Sequence, residues 1–280
     1  MTKIIDLRNR PAFLHEFYGA TPGSPGYATA KWLNQRLGSL DPEHFKRSLT
    51  LPDYLRELDA AGLHRTVVVG RETPEIVIDN DSLAALVGAS PKLLGIAGID
   101  AQKRGPEETE QEIARLIGLG FKGINLEPGF GLPPLQVDDP KLFPVYEACI
   151  YYDAPVSLMS GPTTPDPDYA HPNPVARLAR QFPSLKIICF HGYYPYVNEI
   201  IGIAFRYPNV YLVPDMYIFL PGSQLYVQAA NQFMQEQLLF ASSYPFRDLK
   251  QSIDEFIKLG FKDSVLDKLL YQNAQTLLKL

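Results

Sequence analysis

Two arginines alternate along a short apolar stretch near the start of this chain, Arg8 and Arg10 in IIDLRNR. Alternate residues of a strand share a face, so the spacing puts both guanidinium groups on one side. There they could grip a carboxylate bidentately or stabilise a developing oxyanion. Internal pairing would use the same residues: Asp6 has the same parity, and Glu127 or Asp100 could reach across a barrel. His191 ends a second apolar run, IICFHG. Its imidazole titrates near neutrality and suits a general base or acid, although a hydrogen-bonded structural histidine would look the same in sequence. Glu127, in GINLEP, is the other proton-transfer candidate. A carboxylate beside two arginines has a lowered pKa, which makes it an orienter more than a base.

Weaker candidates extend this set. Arg71, next to Glu72 after VVVG, could lengthen a carboxylate clamp or form a surface ion pair. Asp100 and Asp215 each follow an apolar run. Tyr193 and Tyr194, with Tyr196, crowd the segment after His191 and suit either a planar ligand or a packed aromatic cluster. Ser243 sits in SSYP without the G-x-S-x-G elbow that would mark a hydrolase nucleophile.

These residues must be carried by elements that bring distant segments together. Short apolar runs alternate with helical patterns, the signal of repeated βα units on a parallel sheet. The strands expected are Ile4–Leu7, Thr66–Val69, Leu94–Ile99, Gly123–Leu126, Pro155–Leu158, Lys186–Phe190, Val210–Val213 and Leu238–Phe240. Helices are expected between them, as over Leu51–Ala61, where Leu51, Tyr54, Leu55 and Leu58 fall on one face. The predicted fold class is α/β, a single (β/α)8 TIM-type barrel over residues 1–280 with long loops after strands 1 and 5. The first loop covers residues 11–50 and holds the single Trp, Trp32. The second, Ser160–Pro174, is stiffened by prolines, so it should line a pocket rather than flap over it.

Bulk properties remove several function classes. With 280 residues and 46% hydrophobic composition the chain can bury a large core. A net charge of −5 argues against a nucleic-acid partner, because phosphate contacts need a basic surface. No apolar run is long enough to span a bilayer, and MTKIIDLRNR lacks the apolar centre of a signal peptide, so a soluble cytoplasmic protein without a membrane partner is expected. Cys149 and Cys189 have no CxxC context and read as buried reduced thiols. The aromatic helices expected at Phe143–Tyr152 and Phe219–Phe233 offer surfaces for a homo-oligomer.

Taken in order, IIDLRNR, GFKGINLEP, PVSLMSG, FPSLKIICFHG, YPNVYLV, LLFASSYPF and YQNAQTLLKL resemble the amidohydrolase superfamily, in its amidohydrolase-related branch of aminocarboxymuconate-decarboxylase-like and lactonase-like proteins. The resemblance implies a barrel with its active site at the C-terminal ends of the strands, and hydrolytic or decarboxylating chemistry. It also implies metal ligands: D-x-H-x-H on the first strand, a His ending the fifth and the sixth, and an Asp ending the eighth. Here those slots hold Arg8, Arg10, Met159, His191 and Ser243, so one ligand of five remains. Two guanidinium groups repel a divalent cation. Met159 is expected to fill the vacated volume.

The expectation is therefore an enzyme without metal or cofactor, acting on a small carboxylated substrate such as a lactone. His191 would be the base, with Arg8 and Arg10 on the developing charge and Glu127 orienting them. Arg71, Asp100, Met159, Tyr193, Tyr194, Asp215 and Ser243 are the substrate-binding candidates. A decarboxylase or lactone isomerase could use nearly the same parts, and a catalytically inactive ligand-binding barrel could keep the scaffold. A substitute metal site would draw on His171, His191, Glu127 and Asp215.

Overall fold

A computed structural model describes residues 3–280. Seven parallel strands form one sheet in chain order. They are β1 (Ile5–Asn9), β2 (Arg65–Val69), β3 (Leu93–Gly98), β4 (Ile124–Leu126), β5 (Val156–Met159), β6 (Ile187–Phe190) and β7 (Val210–Val213). Their near-continuous burial is what a parallel sheet covered on both faces requires.

The expected eighth strand, Leu238–Phe240, is not a strand. Residues 237–244 run irregularly between β7 and β1 and are bonded to both. Leu239 N donates to Leu212 O, Leu7 N donates to Phe240 O, and Arg10 N donates to Tyr244 O. Isolated parallel bridges Leu212–Leu238 and Asn9–Tyr244 mark its course. Ser242 and Ser243 interrupt the ladder, Ser243 with a left-handed φ of 61°. The sheet is thus curled, with an irregular seam in place of a last strand.

Side chains alternate across the strands in two layers. Val67, Val69, Ile96, Ile188, Phe190 and Val213 point inward and pack with Leu277 and Leu278 of the C-terminal helix. Val68, Ala97, Leu158, Cys189 and Leu212 point outward beneath the helices. Both cysteines are free and buried, and burial pushes the Cys149 thiol up to about 12.

The helices between the strands are started by local chemistry. In α2 (Leu51–Ala60) the Thr50 hydroxyl accepts from the Asp53 amide. In α3 (Pro106–Gly118) the Glu108 carboxylate accepts from the Gly105 amide at 3.0 Å. Each bond satisfies a backbone donor that the first turn leaves free. Proline occupies the first turn of both helices. The long segment after β1 is not a simple loop: it contains α1 (Pro25–Arg36), capped by the Ser24 hydroxyl. The segment after β5 carries a short 3-10 turn at Pro167–Ala170 before its helix Asn173–Gln181. Among the described residues no helix is long and apolar enough to cross a membrane.

One irregularity positions the site. Pairing of β1 with β2 slips between Asp6 and Asn9, a bulge at Leu7–Arg8. Ile5 and Leu7 face the barrel interior, and Arg8 and Arg10 then turn into its mouth. Asp6 and Asn9 lie on the outer face near Tyr54, whose hydroxyl donates to Asn9 Oδ1 at 3.0 Å. The expected pairing of Asp6 with the Arg8 guanidinium is therefore absent. The Asp6 carboxylate accepts instead from the amides of Arg8 and Ser242, at 3.1 and 3.0 Å. Bulges at barrel rims re-aim side chains in this way.

Candidate functional site

The C-terminal ends of the strands surround a cavity of about 250 Å³. Its floor is formed by Arg8, Arg10, Met159 and His191, and Arg71 lies along its wall. Met159 ends β5, and its sulfur lies 3.2 Å from Arg8 Nη2 and 3.9 Å from Arg10 Nη1, so it separates the two guanidinium groups. Arg8 Nη1 donates to the Ser243 hydroxyl at 2.6 Å and stands 3.8 Å from the Asp215 carboxylate. Arg8 Nε is buried without a partner. Leaving such a donor unpaired costs free energy, and sites that accept this cost are often functional.

Arg10 is held more completely. Its Nε donates to Val69 O at 2.9 Å, and Nη2 reaches Gly70 O at 3.1 Å and Glu127 Oε1 at 2.5 Å. The other oxygen of Glu127 lies 2.9 Å from Arg71 Nε, and Asn125 donates to Oε1 at 3.1 Å. Burial alone would raise the Glu127 carboxyl, but Arg71 and Arg10 outweigh it and hold it at about 2. Glu127 is thus a fixed counter-ion that ties two arginines together.

His191 and Asp215 form the second unit. His191 Nδ1 is 2.9 Å from Asp215 Oδ1, and the His191 amide donates to Asp215 Oδ2 at 3.2 Å. Burial raises the Asp215 carboxyl, yet His191 and Arg8 bring it below its ordinary range, so it is ionised and accepts the proton on Nδ1. Nε2 is left for the cavity, which His191 lines. Burial lowers the imidazole's proton affinity, Arg8 and Arg10 lower it further, and Asp215 only partly offsets them. The ring edge of Tyr217, 5.0 Å away, packs against the imidazole.

The backbone that presents these groups is strained. His191, Gly192 and Tyr193 are three consecutive left-handed residues, with φ of 61°, 58° and 60°, and Asp215 shares that region at 43°. Non-glycine residues occupy it at a cost that clusters at functional sites. At Gly192 a Cβ would stand 2.8 Å from the Tyr226 hydroxyl, so glycine is needed for space as well as conformation.

The structure brings together Arg8, Arg10, Arg71, Glu127, Met159, His191, Asp215 and Ser243. Glu127, Asp215 and Ser243 act on neighbours rather than lining the cavity. Three candidates lie elsewhere. Tyr193 is buried in the outer core. Tyr194 stacks on Tyr217 at 5.4 Å and donates to Pro221 O. Asp100 caps a short turn, accepting from Gln102 N, and faces a separate narrow cleft with Glu72. Consecutive positions after a strand do not stay on one face once the backbone turns left-handed, which removes both tyrosines. His171 also lies apart, its ring tilted against that of Tyr196 at 4.7 Å.

The walls come from residues that sequence patterns mark only by region. Phe17 comes from the segment after β1, and Trp32 and Leu33 from α1. Thr163 and Pro165 come from the proline-rich segment, and Ile76, Phe130, Met216 and Phe246 complete the apolar lining. Segment length and proline content pointed to the right stretches, but not to individual side chains.

Comparison with known proteins places this geometry. The amidohydrolase family model matches residues 25–280. A TIM-barrel protein of uncharacterised function from Bordetella bronchiseptica is 33% identical, with a TM-score of 0.90 over 99% of this chain and 98% of that one. The 2,6-dihydroxybenzoate decarboxylase from Rhizobium superposes with a TM-score of 0.71 at 20% identity, covering 100% of this chain and 99% of that one. The 5-carboxyvanillate decarboxylase from Novosphingobium aromaticivorans, solved with manganese and 4-hydroxy-3-methoxy-5-nitrobenzoic acid, gives 0.68 at 17% identity over 99% and 96%. At those identities the two decarboxylases speak for a shared fold. A search of curated protein sequences finds no match.

Proposed function

The chain belongs to the amidohydrolase family, and from that premise we propose that it is a metal-independent enzyme that decarboxylates a small carboxylic acid. The observation that carries this reading is the His191–Asp215 pair beside Arg8 at the closed end of one apolar cavity. Structural relatives on the same scaffold are decarboxylases of aromatic acids, which favours this chemistry over the lactone hydrolysis expected from sequence.

The residues present do not suit the divalent cation that the fold family implies. Among the described residues, no three His, Cys, Asp or Glu side chains come together as a cation site. The carboxylate nearest His191 faces a guanidinium 3.8 Å away, and Met159 stands where Arg8 and Arg10 meet. Positive charge already occupies the centre of the site, so no step is routed through a metal.

In the proposed reaction Arg8 orients the substrate carboxylate, and the Phe130, Met216 and Phe246 walls exclude water from the planar body. The imidazolium form of His191, held by Asp215, passes a proton from Nε2 to the carbon that bears the carboxylate. The carbon–carboxylate bond then breaks, its electron pair returns to the π system, and CO2 leaves. A depressed proton affinity makes this imidazolium a stronger acid. A second reading, hydrolysis of a carboxylated lactone, is favoured by the same depression, which keeps His191 neutral near pH 7 as a base for water.

The test is a panel of carboxyl-labelled aromatic and unsaturated acids and small lactones, followed by ¹³C NMR with EDTA present throughout. Labelled bicarbonate that vanishes in His191→Asn supports decarboxylation, and ring-opened product would replace it with hydrolysis. Turnover that EDTA abolishes, or that survives His191→Asn undiminished, refutes the assignment. No turnover, with ligand affinity retained in both proteins, would leave a binding barrel.

A further inference from the structure

Arg71 differs from the two arginines of the floor. Arg8 uses one N–H of each terminal amino group, on Ser243 and on Met159, and keeps the others for the cavity that it lines. Arg10 spends its Nε and Nη2 on backbone carbonyls and Glu127. Arg71 makes its polar contacts through Nε alone, 2.9 Å from Glu127 and 3.4 Å from the Thr73 hydroxyl. Among the described residues its two terminal amino groups have no protein hydrogen-bond acceptor, and the side chain lines the cavity.

The Arg71 guanidinium is nonetheless rigid. Its centre lies 4.7 Å from the Phe130 ring and 5.8 Å from the Phe17 ring. The side chain is almost fully buried, with 5% of its residue surface exposed. Its backbone is fixed by close packing of strand ends: a Cβ on Gly98 would lie 2.5 Å from the Arg71 amide nitrogen. A buried, immobilised fork with two free amino groups is pre-organised for a planar two-oxygen acceptor.

We propose that Arg71 is the anchor for a second, non-reacting carboxylate of the ligand, so that the site selects compact planar dicarboxylic acids over monocarboxylic ones. One carboxylate would meet Arg8 beside His191, and the other would lie across the two free amino groups of Arg71. The cavity of about 250 Å³ suits a single ring with short substituents. Three guanidinium groups against Glu127 and Asp215 leave one positive charge for the first carboxylate to balance. The second sits toward the rim, where exposed Glu75 marks the edge and solvent screens the excess charge. This inference rests on the proposed site at Arg8 and His191, but concerns binding and not turnover.

Trp32 is the single Trp of the chain and lines the mouth, so its fluorescence reports occupancy directly. The probes are benzoate and the three benzenedicarboxylates, titrated into the wild type and into Arg71→Gln, Arg71→Lys and Arg8→Gln. At least one diacid should bind the wild type about ten-fold or more tighter than benzoate. Arg71→Gln should bring that diacid to the benzoate level while leaving benzoate affinity within about two-fold, and Arg71→Lys should recover only part of the preference. Arg8→Gln should weaken both ligands. Circular dichroism and thermal melting confirm that each variant is folded. Equal binding of mono- and diacids, a preference that survives Arg71→Gln, or no saturable binding of any diacid overturns the proposal. A diacid preference that depends on Arg71 in a protein that releases no CO2 would refute the decarboxylase reading alone.

Discussion

Replacing Glu127 with Gln tests the central ion-pair cluster. Glu127 holds Arg10 at 2.5 Å and Arg71 at 2.9 Å in a fully buried setting. Gln keeps the shape and one acceptor but leaves two guanidinium groups without their counter-ion. The carboxyl is held at about 2 against an ordinary 4.5. At about 1.4 kcal/mol per pH unit, that difference contributes about 3 kcal/mol of stability at neutral pH. Breaking a buried pair by removing one partner commonly costs about 3–5 kcal/mol, so the two routes agree. The sign follows from a folded-state pKa that is depressed. The contribution is complete above 4.5 and is lost as pH falls through about 2. Urea denaturation should therefore give a deficit for Glu127→Gln of about 3 kcal/mol at pH 7, shrinking to about 1 kcal/mol at pH 3. The melting temperature at pH 7 should fall by about 6–12 °C. A deficit below about 1 kcal/mol at pH 7, or one independent of pH, would show that Glu127 is not the charge that neutralises this cluster.

Two further substitutions probe the frame around it. Burial pushes the Asp6 carboxyl up to about 6 from its ordinary 3.8, the opposite of Glu127. The folded state therefore keeps a proton that the unfolded state releases, and stability falls as pH rises from about 4 through 6. Asp6→Asn keeps an acceptor for the Arg8 and Ser242 amides, so its stability relative to the wild type should rise by about 2–3 kcal/mol between pH 4 and 7. Parallel urea midpoints for the two proteins across that range would contradict the burial argument. Gly192→Ala adds a Cβ to a left-handed residue, 2.8 Å from the Tyr226 hydroxyl. It should destabilise by about 1–3 kcal/mol and displace His191, read as an altered imidazole resonance in NMR. An unchanged melting temperature and spectrum would show that the turn relaxes freely.

The barrel could be read from sequence because parallel strands buried on both faces are nearly pure apolar runs, and Val210–Val213 falls where its pattern put it. The seam at residues 237–244 was less legible. Leu238, Leu239 and Phe240 have the burial of a strand, but Ser242 and Ser243 break the ladder, and hydrophobicity does not record hydrogen-bond geometry. The same limit explains the site. Arg8, Arg10 and His191 stood out because buried charge at a strand end is costly and so conspicuous. The partner of Asp6 was misplaced because a one-residue slip between Asp6 and Asn9 reverses the parity that the inference relied on. That slip also gives the site its character. In an unbroken strand, Leu7 inside would place Arg8 outside, against the helices. The bulge allows Leu7 to fill the barrel while both Arg8 and Arg10 enter the mouth.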